Sequence, residues 1–236
     1  TTRQARAKYL KRNQQQVSVT LSYTDTFADR HNLDVMFGGE YFNHHEFLFD
    51  ATTEGSPLDD IATMNVGATR TKTTSEKTGY RILSAFGRAN YNYDMKYLLT
   101  LTARYDGISR LVDNRWGFFP GVSAGWNVME EEFFKESPIS DYVSNLKPRI
   151  SYGVNGNVSA IGNFETKDYA GTTGFQSGYE SNGAFIGLMN SKLRWEQSQT
   201  FEVGLDFSFF NNRLSFIADY YDRRTKDLLT SLALPG

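Results

Sequence analysis

The feature that most constrains the fold is a strict two-residue alternation on both sides of a short polar loop at residues 107–116. Before the loop, apolar side chains occupy every second position, at Leu99, Leu101, Ala103 and Tyr105. After the loop the same spacing returns, at Val122, Ala124, Trp126 and Val128. Successive side chains of a strand point to opposite faces, so each run predicts a strand with one apolar face and one small or polar face.

The same alternation recurs along most of the chain and predicts eight strands, at residues 17–24, 33–49, 80–93, 97–106, 121–128, 146–155, 201–209 and 214–221. Phe86 is the one misfit, because it lies on the polar face of its strand. No run of eighteen apolar residues is present, which excludes a transmembrane helix. Strands with one apolar face are typical of transmembrane β-barrels, so we expect an all-β, antiparallel transmembrane β-barrel segment.

The predicted connections alternate in length. Tight turns are expected at residues 29–32, 94–96 and 211–212, and asparagine at both positions of the last turn tolerates the positive φ that a two-residue hairpin needs. Long loops are expected at 50–77 and 156–197. Connections of medium length fall at 107–116 and 130–145, and the second could hold one helical turn. Outer-membrane barrels have short periplasmic turns and longer extracellular loops, so we expect the loops at 50–77, 107–116 and 156–197 outside.

The whole chain, residues 1–236, is interpreted as a single region of barrel wall. Residues 1–16 are predicted to form a polar loop with a short basic run. In hydrocarbon an unpaired backbone group is costly, so strands cross a membrane only within a closed sheet. Because the chain begins and ends in predicted loops, we expect about eight strands of a larger barrel with its plug domain missing.

Composition argues against several classes of protein. A net charge of -2 is unlike the basic excess of a nucleic-acid-binding protein. The chain has no cysteine, so disulfides and thiolate metal sites are absent. The adjacent His44 and His45 would point to opposite faces of a strand, and the aspartates that resemble calcium ligands fit solvated loops or turns better: Asp59, Asp60, Asp106 and Asp113. No catalytic motif is found, so we expect no enzyme activity, no cofactor and no metal.

Seven motifs, in order and spacing, resemble the barrel region of the SusC/RagA family of TonB-linked outer-membrane transporters. They are RYDGISR from Arg104, NRWGFFPGVSAGW from Asn114, LKPRISYGVNGN from Leu146, IGNF from Ile161, LRWEQS from Leu193, VGLDFSFFNNRL from Val203 and DYYDRRTKDLL from Asp219. The resemblance covers roughly residues 80–229. This sequence has Ile108 and Leu111 where the family more often has a serine and an aromatic residue.

The resemblance implies a large outer-membrane barrel that imports oligosaccharides or peptides with energy delivered through TonB. It also implies a plug in the lumen and a SusD-like lipoprotein that caps the barrel outside. The expected partners are therefore this lipoprotein, the TonB system, outer-membrane lipid and a glycan or peptide substrate, with no nucleic acid. Within residues 1–236 we identify no segment that resembles the TonB box, the plug or the closing strand of the family, and we expect these parts to be missing.

Candidate substrate-binding residues fall into two groups. Charged side chains on the predicted polar face would point into the lumen: Arg88, Arg104, Arg149, Glu202, Asp206 and Asp219. These side chains could bind substrate or hold the plug, but cross-strand ion pairs along a wetted wall are the expectation we favour. Aromatic residues in the loop 156–197 could stack on sugars, dock the lid or pack the loop: Phe164, Tyr169, Phe175, Tyr179 and Phe185.

Tyrosines beside a tight turn fit an aromatic girdle at the periplasmic interface: Tyr91, Tyr93 and Tyr97. Two other functions are compatible with the pattern. The first is a small self-closed barrel that acts as an anchor or adhesin in the outer membrane. The second is a soluble carbohydrate-binding β-sandwich, which would need its apolar faces to meet in one core, whereas a barrel exposes its apolar face to lipid.

Overall fold

The computed structural model describes residues 3–57, 63–65, 67–163, 169–172, 184–187 and 190–229, with the backbone alone at 169–172 and 184–187. The described chain is almost entirely β-structure, which confirms the predicted fold class. Eight strands form one sheet in the order β1-β2-β3-β4-β5-β6-β9-β10, and β7 pairs with β8 in a separate two-stranded sheet. None of the described helices has the length and apolar character needed to cross a membrane.

The strands of the large sheet are β1 (Gln4–Phe27), β2 (His31–Glu54), β3 (Thr69–Tyr93), β4 (Tyr97–Ile108), β5 (Trp116–Trp126), β6 (Val143–Asn157), β9 (Glu196–Phe209) and β10 (Leu214–Lys226). The small sheet consists of β7 (Tyr169–Thr172) and β8 (Ala184–Gly187). The connection between β5 and β6 contains a short α-helix, α1 (Glu132–Lys135), between two 3₁₀ turns at Val128–Glu130 and Pro138–Asp141. It confirms the helical turn expected there.

The chain divides into two compact units. The first unit contains residues 1–17 and 41–82, which are the distal parts of β1, β2 and β3. In this unit β1 and β3 carry few apolar side chains, whereas β2 carries Phe42, Phe47 and Phe49, and ion pairs link the three strands. The second unit contains residues 18–40 and 83–236, including all of β4, β5, β6, β9 and β10. All six charged candidate residues belong to the second unit.

The tight turns of the second unit have the positive φ angles that short hairpins need. Asp94 and Met95 both have positive φ, and the amide of Lys96 donates to the carbonyl of Tyr93 at 2.9 Å. Asn211 and Asn212 also have positive φ, at 56° and 62°. Positive φ at both central residues defines the type I′ turn, whose twist matches that of the flanking strands. The tight turns predicted at 94–96 and 211–212 are therefore confirmed. The turn predicted at 29–32 lies instead at 28–30, where Ala28 and Asp29 have positive φ and the amide of Arg30 donates to the carbonyl of Phe27 at 3.2 Å.

Several strand ends differ from those predicted from the sequence. Residues 1–16, predicted as a loop, lie mostly in β1, and the predicted loop 50–77 shrinks because β2 runs to Glu54 and β3 starts at Thr69. The predicted loop 156–197 likewise contains β7 and β8. Alternation disappears where neither face of a strand is apolar, but backbone pairing needs no apolar face. Periodicity therefore found only the strand segments that carry one.

Candidate functional site

The two faces of the sheet differ as the alternation predicts. Strand register aligns one apolar row across five strands: Leu99, Ala124, Ile150, Val203 and Tyr220. Most of this row is open, with Ile150 47% exposed and Val203 44% exposed. The neighbouring row on the opposite face is largely polar: Thr100, Ser123, Ser151, Glu202 and Tyr221. The polar face carries all six charged candidate residues, so we describe it as the candidate site.

Four of the six candidates meet around one glycine. Register places Arg149 of β6 and Asp219 of β10 on either side of Gly204 in β9. Glu202 and Asp206 precede and follow this glycine by two residues, so they share its face. The Arg149 guanidinium donates to Glu202 at 2.6 Å, to Asp206 at 3.2 Å and to Asp219. We call these four residues the Arg149 cluster.

Gly204 makes room for the guanidinium. A Cβ atom at this position would lie 2.6 Å from Arg149 Cζ and 2.6 Å from Asp219 Oδ1. Any larger residue would therefore displace the guanidinium from the carboxylates. The four side chains remain 27–40% exposed, so water reaches the cluster and weakens each pair.

Arg104 forms a second cluster on the same face. Its Nε atom donates to both carboxylate oxygens of Asp106 at 2.8 Å, and its Nη2 atom donates to Ser84 at 2.9 Å and to Glu40 at 3.3 Å. The guanidinium also lies 5.5 Å from the centroid of the Phe86 ring, within the range of a cation–π interaction. Phe86, the misfit of the alternation, therefore has a partner on the polar face.

Arg88 is the loosest of the six candidates. Its Nη2 atom lies 3.9 Å from Asp34, and its side chain is 49% exposed. Asp34 is held more firmly by Thr24 and Asn90, which each donate to it at 3.0 Å. The position of Asp34 is thus fixed largely without Arg88, whose guanidinium is only weakly anchored.

A groove of about 490 Å³ lies on the polar face and is lined by residues of β2, β3, β4, β5 and β6. Its lining includes both Arg88 and Arg104, together with Thr102 and Asn155. Glycine lines part of the floor, and a Cβ atom at Gly153 would meet nothing within 4 Å. The groove therefore offers cationic groups and hydrogen-bonding groups around an open floor.

The remaining candidates do not join this site. Tyr169 and Phe185 lie in β7 and β8, where only the backbone is described, and Phe164, Phe175 and Tyr179 lie outside the described residues. His44 lies 3.2 Å from Gln14 Nε2 in the first unit, and Asp113 accepts a hydrogen bond from Ser191 at 2.7 Å. Asp59 and Asp60 are also outside the described residues. Among the described side chains, no group of three or more His, Asp or Glu is placed to hold a metal ion.

Sequence reasoning missed a packed region that joins the connection after β4 to the segment before β9. Ile108 and Leu111, which depart from the family pattern, are only 1% and 0% exposed. Trp195 packs edge-on against Phe119, with ring centroids 5.2 Å apart, and its indole nitrogen donates to the carbonyl of Arg115 at 3.0 Å. The only signal in the sequence is the apolar residues inside otherwise polar loops.

A buried ion-paired aspartate in the first unit was also missed. Asp50 is 3% exposed and accepts hydrogen bonds from Arg6 at 2.6 and 2.8 Å and from Lys72 at 2.9 Å. The Arg6 guanidinium and the Lys72 ammonium hold the pKa of Asp50 well below its usual range. This triad was not predictable from the sequence, because Arg6 lies in the predicted loop 1–16 and the other two residues lie in the predicted loop 50–77.

Comparison with known proteins gives consistent matches. The family model described as "TonB dependent receptor-like, beta-barrel" matches residues 1–236. The TonB-dependent receptor SusC of Bacteroides thetaiotaomicron is 33% identical over 210 residues, which cover 86% of this chain and 20% of that protein. A TonB-dependent receptor of Formosa agariphila is 33% identical over 224 residues, covering 92% of this chain and 22% of that protein.

Solved structures agree. The structure of the RagAB peptide transporter matches 98% of this chain and 25% of that chain, with a TM-score of 0.87 and 28% sequence identity. The RagAB peptide importer in the "open-open" state gives a TM-score of 0.86 at 27% identity. This chain thus spans about a fifth of the curated relatives. From the match over its whole length and the arrangement of its strands, the chain belongs to the TonB-dependent receptor β-barrel family.

Proposed function

We propose that this chain is part of the barrel wall of an outer-membrane, TonB-dependent importer of oligosaccharides or peptides. The observation that carries the proposal is the exposed apolar face. Leu101, Val122, Tyr152 and Phe201 align across four strands and are 39–48% exposed. A soluble sandwich would bury such a row against a second sheet, whereas a barrel wall places it against lipid.

The polar face then lines the lumen, where all six charged candidates are ion-paired. The Arg149 cluster serves mainly to hold neighbouring strands together, because its guanidinium is shared among three carboxylates. The groove beside Arg88 and Arg104 is the part of the wall best suited to contact substrate. SusC and RagAB are the relatives that support the assignment as an importer. The proposal includes a SusD-like lipoprotein as external lid and residues 1–236 as one stretch of wall with its longer loops outside.

Adjacent cysteines test the assignment of the two faces. In the full-length protein in native outer-membrane vesicles, Leu101→Cys should be protected from a water-soluble maleimide by lipid. Thr102→Cys, one residue along β4 on the other face, should be labelled once a denaturant-free detergent wash opens access to the lumen. Leu101 is 48% exposed in the chain itself, so protection of its cysteine would come from lipid. Equal labelling of both cysteines in vesicles and after the wash would contradict the barrel wall.

Uptake tests the importer. Cells that carry the gene should accumulate a fluorescent oligosaccharide or peptide, and accumulation should stop when TonB is deleted. Deletion of a neighbouring lipoprotein gene should also reduce uptake. Normal surface exposure without TonB-dependent uptake of any oligosaccharide or peptide would favour an anchor or adhesin.

A further inference from the structure

The connection between β5 and β6, residues 127–142, is unusual among the described connections at its end of the second unit. The turns after β1, β3 and β9 contain only three or four residues, but this one contains two 3₁₀ turns and α1. It is attached to the adjacent turn, because Asn127 donates through its backbone to Lys96 at 2.7 Å and through its side chain to Met95 at 2.5 Å. The segment is therefore a folded element rather than a loose link.

One side of this segment packs on the strand ends. Val128, Phe134 and Val143 are 7–8% exposed and form an apolar cluster. Met129, Leu146 and Phe209 pack against the same cluster. Burial of these side chains fixes which residues of the segment face outward.

The outward side of the segment also carries large apolar side chains, beside its charged ones. Phe133 is 62% exposed, Ile139 57% and Tyr142 62%. The ring of Phe210, in the neighbouring turn, is 53% exposed and lies edge-on to Tyr142 with centroids 6.5 Å apart. Exposed apolar side chains grouped in this way mark an interaction surface rather than ordinary surface scatter.

Stacked rings connect this surface to the apolar face of the sheet. Tyr93 stacks on Tyr97 with centroids 6.2 Å apart, Tyr97 stacks on Trp126 at 6.4 Å, and Trp126 lies 6.4 Å from Phe133. The Tyr97 hydroxyl and the Trp126 indole nitrogen both donate to Glu131, at 2.6 and 3.1 Å. Tyrosine and tryptophan with an apolar ring and a paired polar atom are favoured where hydrocarbon meets lipid headgroups.

We propose that residues 127–142 form an amphipathic element that lies in the headgroup–acyl boundary of the membrane, with Phe133, Ile139 and Tyr142 in contact with lipid. The inference rests on the proposed function, since it extends the lipid-facing wall onto a connection. Five acidic residues and one lysine lie in the segment. This negative charge favours zwitterionic over anionic headgroups, so the occupant is zwitterionic lipid.

Spin labels test the proposal in the full-length protein reconstituted in phosphatidylcholine nanodiscs. Single cysteines are placed at Phe133, Ile139 and Tyr142, with exposed Lys135 and Asp141 as matched controls on the same segment. Leu101→Cys and Val203→Cys serve as controls on the strand face. The measurement is the collision rate of each label with oxygen, which concentrates in hydrocarbon, and with a water-soluble nickel complex.

The expected result is a preference for oxygen at 133, 139 and 142, equal in direction to that at 101 and 203, and a preference for the nickel complex at 135 and 141. Nickel preference at 133, 139 and 142 with oxygen preference at 101 and 203 would overturn the inference but leave the barrel wall intact. Nickel preference at all positions would overturn both. Labels at 133, 139 and 142 shielded from both reagents would also overturn it, because the segment would then be covered by protein.

Discussion

Replacement of Gly204 by alanine tests the Arg149 cluster directly. The new Cβ atom would lie 2.6 Å from Arg149 Cζ and from Asp219 Oδ1, so these atoms must move by about 0.8 Å to reach ordinary contact. The guanidinium is the flexible end of its side chain, so the movement strains no backbone. Its cost is the loss of good geometry in the pairs with Glu202, Asp206 and Asp219.

Gly153→Ala is the matched control. Gly153 also lies on the polar face, in the neighbouring strand β6, and its added Cβ atom meets nothing within 4 Å. Replacing glycine by alanine within a strand stabilises the folded state by roughly 0.5–1 kcal/mol. This stabilisation is expected at both positions, so it cancels when the two variants are compared. Each partly exposed ion pair contributes about 0.2–1 kcal/mol, so loss of all three pairs gives an upper range of about 0.6–3 kcal/mol for the difference between the variants.

Urea unfolding of the full-length protein in detergent, followed by heat-modifiable gel migration, measures this difference. The Gly204→Ala protein should unfold at lower urea than the Gly153→Ala protein. In an Arg149→Met background the penalty of Gly204→Ala should largely disappear, because the pairs that it disturbs are already lost. Equal midpoints for the two alanine variants, or an unchanged penalty without Arg149, would refute the assigned role of Gly204.

Three further variants address other parts of the chain. Trp195→Phe removes the donor to the Arg115 carbonyl and should cost about 1 kcal/mol in urea unfolding; a wild-type midpoint would contradict the importance of that bond. Ala28 has a φ of 48°, so Ala28→Gly should stabilise by about 0.5–1 kcal/mol, and any destabilisation would argue against strain in the turn. Hydrogen bonds from Tyr97 and Trp126, with the Lys96 ammonium, hold the pKa of Glu131 below its ordinary value of 4.5. The charge of Glu131 therefore stabilises the fold above pH 4.5, and this stabilisation is lost as the pH falls through the pKa of Glu131 in the folded state. Thermal unfolding should show the full difference in stability between wild type and Glu131→Gln at pH 7 and a smaller difference below about pH 4.5. A difference in stability that does not change with pH would exclude this contribution.

The face on which the six charged candidates lie was predictable from the sequence, but their contacts were not. Alternation alone placed all six charged residues on the polar face, because side-chain direction in a strand depends only on position along it. The pairing of Arg149 with Asp219 joins residues 70 positions apart, and strand order and register decide it. The role of Gly204 was likewise not predictable, because the sequence does not show that the Arg149 side chain lies over this glycine.

The burial of Ile108 and Leu111 was also not predictable from the sequence. They were noted as departures from a family pattern, and they prove to be almost fully buried. A residue in a loop or at the end of a strand is buried only when distant segments fold over it, and the segments that contact this region lie near residues 163 and 190–195. The residues around positions 108 and 111 do not show which distant segments will pack against them.

The sequence by itself determined the all-β class, the two faces of each amphipathic strand and the tight turns at 94–96 and 211–212, because each depends on neighbouring residues alone. Tertiary structure decided the true lengths of β1, β2 and β3, because the added stretches 4–16, 50–54 and 69–79 carry few apolar side chains and are held by backbone pairing and by ion pairs such as Arg6–Asp50–Lys72. It also decided which charges meet and which apolar residues of the connection 127–142 remain outside. These features depend on strand register and packing, which join residues far apart in the chain.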